Sequence, residues 1–207
     1  MLILGHVGIT FGAALAAESF RSQPRSAAIE SESHLLDRLQ LRVVTLSRKI
    51  DLRVLLIGAL LPDIIDKTVG MVLFPGIYGA GRLFAHSLLF VIVVALAGVW
   101  RYRTAAHTGL LVLAYGSAMH LLLDAMWRTP SVLWWPFAGQ LPRGGTAENW
   151  PSRILETLLT NHAAYVPEIA GGILLVPLLS MFFRGISLRR FLREGTIRGA
   201  CTQRPAD

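Results

Sequence analysis

A chain of 207 residues has room for one domain. With 53% hydrophobic and only 16% charged residues, it lacks the charge, about 25% of positions, that coats a soluble domain; the mean hydropathy of +0.52 agrees. The single cysteine, Cys201, excludes an intrachain disulfide framework and thiolate metal clusters, and the net charge of +7 is gathered in loops and tail between apolar stretches, which argues for a membrane protein and against nucleic acid as a partner.

The first apolar stretch, Met1 to Ala17, carries no charged residue. Ala14 to Glu18 resembles the small-residue site at which a signal peptide is cut. No Lys or Arg precedes the run, however, and Arg21 and Arg25 follow it, so the expectation is an uncleaved helix with its N-terminus outside. A polar segment, 18–53, comes next. Within it Leu35, Leu36, Leu39, Val43 and Leu46 recur at roughly helical spacing and predict an amphipathic helix on the membrane surface.

The second stretch, Val54 to Ile65, is interrupted by Asp63 and is too short to cross alone. The third (Leu83 to Trp100), the fourth (Thr108 to Trp127) and the fifth (Ala163 to Phe183) reach the range of about 17–25 residues that a crossing takes, and the first is borderline. Between the fourth and fifth, 128–162 carries Pro130, Pro136, Pro142 and Pro151 with Trp134, Trp135, Phe137 and Trp150. Tryptophan favours the membrane–water interface, so this loop is expected to lie on the bilayer surface or to cap a site. The expected fold is all-α: a multi-pass transmembrane helical bundle of about five membrane helices plus a surface amphipathic helix. Residues 1–185 form the membrane-embedded domain and 186–207 a basic tail.

Basic residues set the orientation. The first and third loops and the tail hold fifteen Lys and Arg against five in the second and fourth loops. The positive-inside rule puts the fifteen in the cytoplasm, with 18–53 and the C-terminus inside and the N-terminus and 128–162 outside, in the inner (plasma) membrane. On that scheme His6, Asp63, Asp66, His86, His120, Asp124 and Glu168 all fall at the outer ends of the helices, although none of them entered the count. An Asp at the centre of a membrane helix costs about 2.5–3.5 kcal/mol, so such groups usually face a bundle interior or a cavity and have a function.

Each group has two readings. His120 and Asp124 are four apart on one helix face; they chelate a cation or simply brace the packing. Asp63 and Asp66 repel unless a cation or proton lies between them. Lys67 is one source of that charge; alternatively one Asp is a ligand and the other orients a histidine. Arg82, four before His86, either binds a substrate anion or anchors at the headgroups. His6 is flanked by Gly5 and Gly8, and Glu168 is a further ligand or a general base. His162 is a weaker candidate, and His34 and His107 fall on the cytoplasmic side. Imidazole and carboxylate without thiolate suit a divalent metal, zinc first, with manganese or iron as alternatives.

Gly5-His6, Leu60-Leu-Pro-Asp63 with Asp66-Lys67, Arg82 with His86-Ser87, and His120-Leu-Leu-Leu-Asp124 followed by Trp134-Trp-Pro-Phe137 occur in that order. Over His6 to Phe137 the sequence resembles the membrane-bound metal-dependent hydrolases described as LexA-binding, inner-membrane-associated proteins. These are in turn similar to zinc-dependent phospholipase C-like proteins. The resemblance implies that His6, Asp63, His86, His120 and Asp124 form a metal site. Many members read Pro-Asp-x-Asp-His where this chain has Pro62-Asp-Ile-Ile-Asp-Lys67, so Asp66 is displaced by one residue. The expected activity is hydrolysis of a phosphoester or lipid-related substrate at the outer membrane face, with membrane lipids as surroundings and with Arg82 and Glu168 as catalytic groups. The alternatives are a non-catalytic membrane protein with a structural metal or His–Asp network, and a small transporter.

Overall fold

The computed structural model describes residues 3–21, 35–137, 139–143, 156–185 and 187–195, and among these it holds helices and turns but no strand. Trp150, Pro151, His34 and the tail beyond Gly195 lie outside the described residues. The helices are α1 (Ile3–Arg21), α2 (Leu35–Lys49), α3 (Leu52–Lys67), α4 (Leu88–Ala105), α5 (Gly109–Leu123), α6 (His162–Phe183) and α7 (Leu188–Glu194). All-α is therefore the observed class.

Several boundaries differ from the apolar pattern, among them the end of the fourth stretch, whose helix stops at Leu123 rather than Trp127. The third stretch does not begin its helix at Leu83. Phe84–His86 form a 3-10 turn, and Ser87 caps α4 by accepting from the Phe90 N–H at 3.2 Å. The second stretch is longer than its apolar run. Asp51 caps α3, which passes through Pro62 and continues as a π-helix over Thr68–Leu73. Pro62 lies buried in the interior of this helix.

α1 packs on α6, α3 on α5, α5 on α4, and α1 also touches α3. The tightest approaches are made where neither helix has a side chain. A Cβ on Gly8 would collide with the Gly171 backbone, and one on Gly116 would stand 2.7 Å from backbone atoms of Gly58 and Ala59. Small residues let membrane helices approach this closely. Successive contacts rise together along α1 and α6 (Gly5 on Pro167, Gly8 on Gly171, Gly12 on Leu174), so these helices are parallel. α3 and α5 are parallel for the same reason, with Gly58 on Leu113 and Asp63 near His120.

Among the described residues, α4 and α6 are the two helices long and apolar enough to cross a membrane. Their apolar windows are only 11% and 28% buried, whereas the core helix of a soluble domain would be mostly buried. Ile92, Val93 and Leu96 of α4 and Ile169, Ile173 and Val176 of α6 face outward, as in a helix set in lipid. The apolar parts of α1 and α5, Ile3–Ala17 and Gly109–Leu123, are shorter. At 1.5 Å per residue each measures about 23 Å, less than the hydrocarbon thickness of about 30 Å.

The opposite end of the bundle from the His and Asp residues is tied by polar contacts. α2 is amphipathic as its spacing predicts: Val43 and Leu46 are buried, while Arg38, Arg42 and Arg48 are exposed. Arg184, just past α6, pairs with Asp37 of α2 at 2.8 Å. The start of the tail is folded, because α7 returns to the bundle. Phe191 is buried against Phe182, and Arg53 Nη1 donates to the Leu192 carbonyl at 2.7 Å.

Candidate metal centre

Pro62 begins the construction. It has no N–H, so the Gly58 carbonyl four residues back lacks its usual helical donor. Ser117 of α5 supplies one, its Oγ donating at 3.2 Å. One residue further on, the Ala59 carbonyl accepts from His120 Nδ1 at 2.7 Å. The close contact of Gly116 with α3 brings both side chains within reach. An acceptor on Nδ1 leaves the His120 Nε2 lone pair pointing away from α3.

Asp66 builds the second half. It is fully buried, and one oxygen accepts from Leu83 N–H at 2.6 Å, His86 N–H at 3.1 Å and His86 Nδ1 at 2.7 Å. The other accepts from Ala85 N–H at 3.0 Å. The carboxylate therefore folds the 3-10 turn around itself and fixes the His86 ring. Asp66, a metal candidate by sequence with the orienting of a histidine as the alternative for one of the two aspartates, stands behind His86: its oxygens are filled by backbone amides and Nδ1, and His86 Nε2 is left to face inward. A carboxylate behind a histidine is the usual way a metal-ligating imidazole is oriented.

The inward-facing atoms meet. His86 Nε2 and His120 Nε2 are 3.2 Å apart. Asp63 Oδ1 lies 3.6 Å from the first and 3.9 Å from the second, and Asp124 Oδ2 is 3.9 Å from His86 Nε2. His6 stacks on His120 at a ring separation of 4.1 Å and places Nε2 3.1 Å from Asp124 Oδ1. Two overlapping groups result, His6–His120–Asp124 and Asp63–His86–His120. Ligand atoms about 2.0–2.2 Å from a tetrahedral ion are about 3.4 Å apart, which matches these separations. The three histidines are fully buried, and the solvent-facing side of the cluster is Asp63, whose side chain is 17% exposed.

Each of these two carboxylates, Asp63 and Asp124, is also held from outside. Lys67 Nζ donates to Asp63 Oδ2 at 2.6 Å, and Arg82 Nε and Nη2 donate to Asp124 Oδ2 at 2.9 and 2.7 Å. The i,i+4 spacing of Asp63 and Lys67 signals the first pair; the second links residues 42 apart and has no local signal. Ser117, three before His120, was also missed. Glu168, expected as a general base or ligand, stands outside both groups. It accepts from the Leu4 N–H at 2.8 Å, at the positive end of α1 where an anion is favoured, and the missing Cβ of Gly5 gives it room. His162 and His107 are exposed and also belong to neither group.

No curated protein and no solved structure matches the chain. Residues 1–192 match the family model described as the YdjM inner membrane protein. That span contains every ligand candidate together with the apolar helices that face outward, and the chain belongs to this inner-membrane family.

Proposed function

We propose that the chain is a membrane-bound metal-dependent hydrolase whose centre is formed by His6, Asp63, His86, His120 and Asp124, with Asp66 orienting His86. One observation carries this. Two imidazole Nε2 atoms whose Nδ1 positions are committed to acceptors converge with two carboxylate oxygens within 3.2–3.9 Å. All four are acceptors. A single proton satisfies one pair, whereas a divalent cation satisfies them all. The donor set of imidazole and carboxylate suits zinc, with manganese or iron as alternatives.

These residues would hold a divalent ion, whose chemistry there would be to supply a water nucleophile near neutral pH. The chain's own residues do the rest. Arg82 binds the anionic oxygens of a phosphoester. The water gives up a proton as it attacks. The water oxygen bonds to phosphorus, the ester P–O bond breaks with its electron pair leaving on the alcohol oxygen, and that oxygen takes the proton. The hydrolase class itself comes from the resemblance over His6 to Phe137. The proposed arrangement in the membrane has five crossings, with the N-terminus and the centre outside and the tail in the cytoplasm. α1, α3 and α5 cross as short helices with the bilayer thinned around them.

Elemental analysis of detergent-purified protein is the first test. Wild type is expected to hold at least one tightly bound divalent ion per chain and His120→Ala to hold less than a tenth of it. Hydrolysis of a phosphoester panel should disappear with chelator and return with zinc. A metal-free wild type, indistinguishable from His120→Ala, would end the proposal. Bound metal with no turnover on any phosphoester or lipid would leave a structural centre in place of an enzyme.

A further inference from the structure

The cluster opens into a cavity of about 560 Å³ with Asp63, Lys67, Arg82 and Asp124 on its lining, within the size range of about 300–1,000 Å³ that small-molecule sites occupy. Two cations line one small cavity, and each donates to a carboxylate whose other oxygen faces histidine nitrogens. Lys67 spends one of its three N–H donors on Asp63, and Arg82 spends Nε and Nη2 of its guanidinium on Asp124. Both residues line the cavity and have donors to spare. Once a divalent ion compensates Asp63 and Asp124, both cations have charge left for an anion lying between them.

The walls add a direction of approach. One wall is the end of α3 and the π-helix, through Lys67 and Met71; the other is the helical turn Pro130–Leu133, through Ser131 and Val132. Gly139 makes the second wall possible, because a Cβ there would collide with the Ser131 backbone, and the flush contact brings Gln140 over the cavity. The chain next to each wall carries exposed apolar side chains. Val72, Leu73 and Phe74 are 71%, 60% and 48% exposed beside the first, and Trp127, Trp134 and Phe137 are 58%, 49% and 80% exposed beside the second. An anion site between two apolar, aromatic-rich rims is suited to the headgroup level of a bilayer, where such side chains settle. A water-soluble phosphate would need no such rims.

We propose that this cavity takes the phosphate head group of a membrane lipid, held by Lys67 and Arg82 while the two rims seat in the surrounding leaflet. The proposal rests on the metal-centre reading above and adds to it the substrate class, the second cation and the route of entry.

The test measures binding and metal content separately. Full-length protein in detergent micelles is titrated with dihexanoyl phosphatidic acid, dihexanoylglycerol and inorganic phosphate, and affinity is read by calorimetry. Wild type should bind phosphatidic acid at least tenfold more tightly than either of the others. Arg82→Gln should lose at least tenfold. Because Arg82 also holds Asp124, a second variant guards the result: Ser131→Trp fills the cavity without touching a ligand and should lose binding while its metal content stays at the wild-type level. Equal affinity for inorganic phosphate and phosphatidic acid overturns the lipid assignment. Binding of dihexanoylglycerol as tight as phosphatidic acid, or Ser131→Trp binding like wild type, overturns the cavity as the site. A wild type free of metal that still shows the full lipid and variant pattern supports the phosphate clamp and counts against the metal centre alone.

Discussion

Asp66 and Asp63 are three residues apart on one helix, yet they should respond oppositely to the same change. In Asp66→Asn the best placement keeps the amide oxygen where three donors converge, from Leu83 N–H, His86 N–H and His86 Nδ1. The amide NH2 then confronts the Ala85 N–H, donor against donor. Hydrogen bonds to a charged group contribute about 1.5–3 kcal/mol against about 1 for neutral ones, and an orphaned buried donor costs about 1–3 kcal/mol. Metal-free stability should therefore fall by about 3 kcal/mol. Loss of an orienting partner typically weakens a metal site about 10–100-fold. Asp63→Asn keeps an oxygen for Lys67, a partly exposed pair of the kind that contributes about 0–1 kcal/mol. It should leave metal-free stability near wild type and abolish tight metal binding. Denaturant melts in detergent after chelation, with chelator competition for zinc, read both quantities. If Asp66→Asn melts like wild type, or if Asp63→Asn keeps tight metal, the division of labour between the two is wrong.

Three further outcomes follow from the helix contacts and caps. Ser117→Ala should cost about 1–3 kcal/mol by stripping the Gly58 carbonyl of its donor. The cost should fall toward zero in a Pro62→Ala background, where the substituted residue supplies a backbone N–H; a double-mutant cycle on melts checks the coupling. Gly8→Ala should cost about 1–3 kcal/mol by forcing α1 from α6, while Gly172→Ala, with open space around it, should be neutral or slightly stabilising in the same melts. The third concerns acid. Burial tends to raise the Asp51 pKa, but hydrogen bonds and charge from Arg53 outweigh it and hold the carboxyl below its usual 3.8. Its stabilisation is thus present above about pH 4 and lost as pH falls through the lowered value. Melts from pH 5 to 2.5 should show wild type losing stability faster than Asp51→Asn, and parallel curves would exclude this contribution.

Much of the fold was legible because apolar length and helical spacing are local properties. Five apolar runs became helices, and Leu35 to Leu46 formed the amphipathic one. The boundaries that moved depend on distant partners. Leu83 to Ser87 reads as helix by hydropathy, but Asp66, from another helix, takes up its amides and turns it into a 3-10 turn. Pro62 fits a helix end or a kink by sequence, and the helix runs on through it because Gly58 regains a donor from α5. For the candidate centre, the sequence put His6, His86 and His120 at one level, and the structure brings their rings together. Which aspartate faces the cluster was not legible, since the two carboxylates differ only in what a later segment brings to them. Glu168 shared the level of the cluster by count, but level along a helix says nothing about the helix face, and its face belongs to α1.

The pairing of α3 with α5 has a further consequence. Two helices meeting through glycines present smooth surfaces, which leave little to stop one sliding along the other. Gly58 and Ala59 offer two carbonyls in a row, and Ser117 and His120, one turn apart, read them as a key reads a lock. A slip by one turn would break both bonds and also carry His120 out of reach of His86. The register of the bundle and the assembly of the centre are therefore set by the same two hydrogen bonds, so a chain mispaired at this interface would also lack its centre.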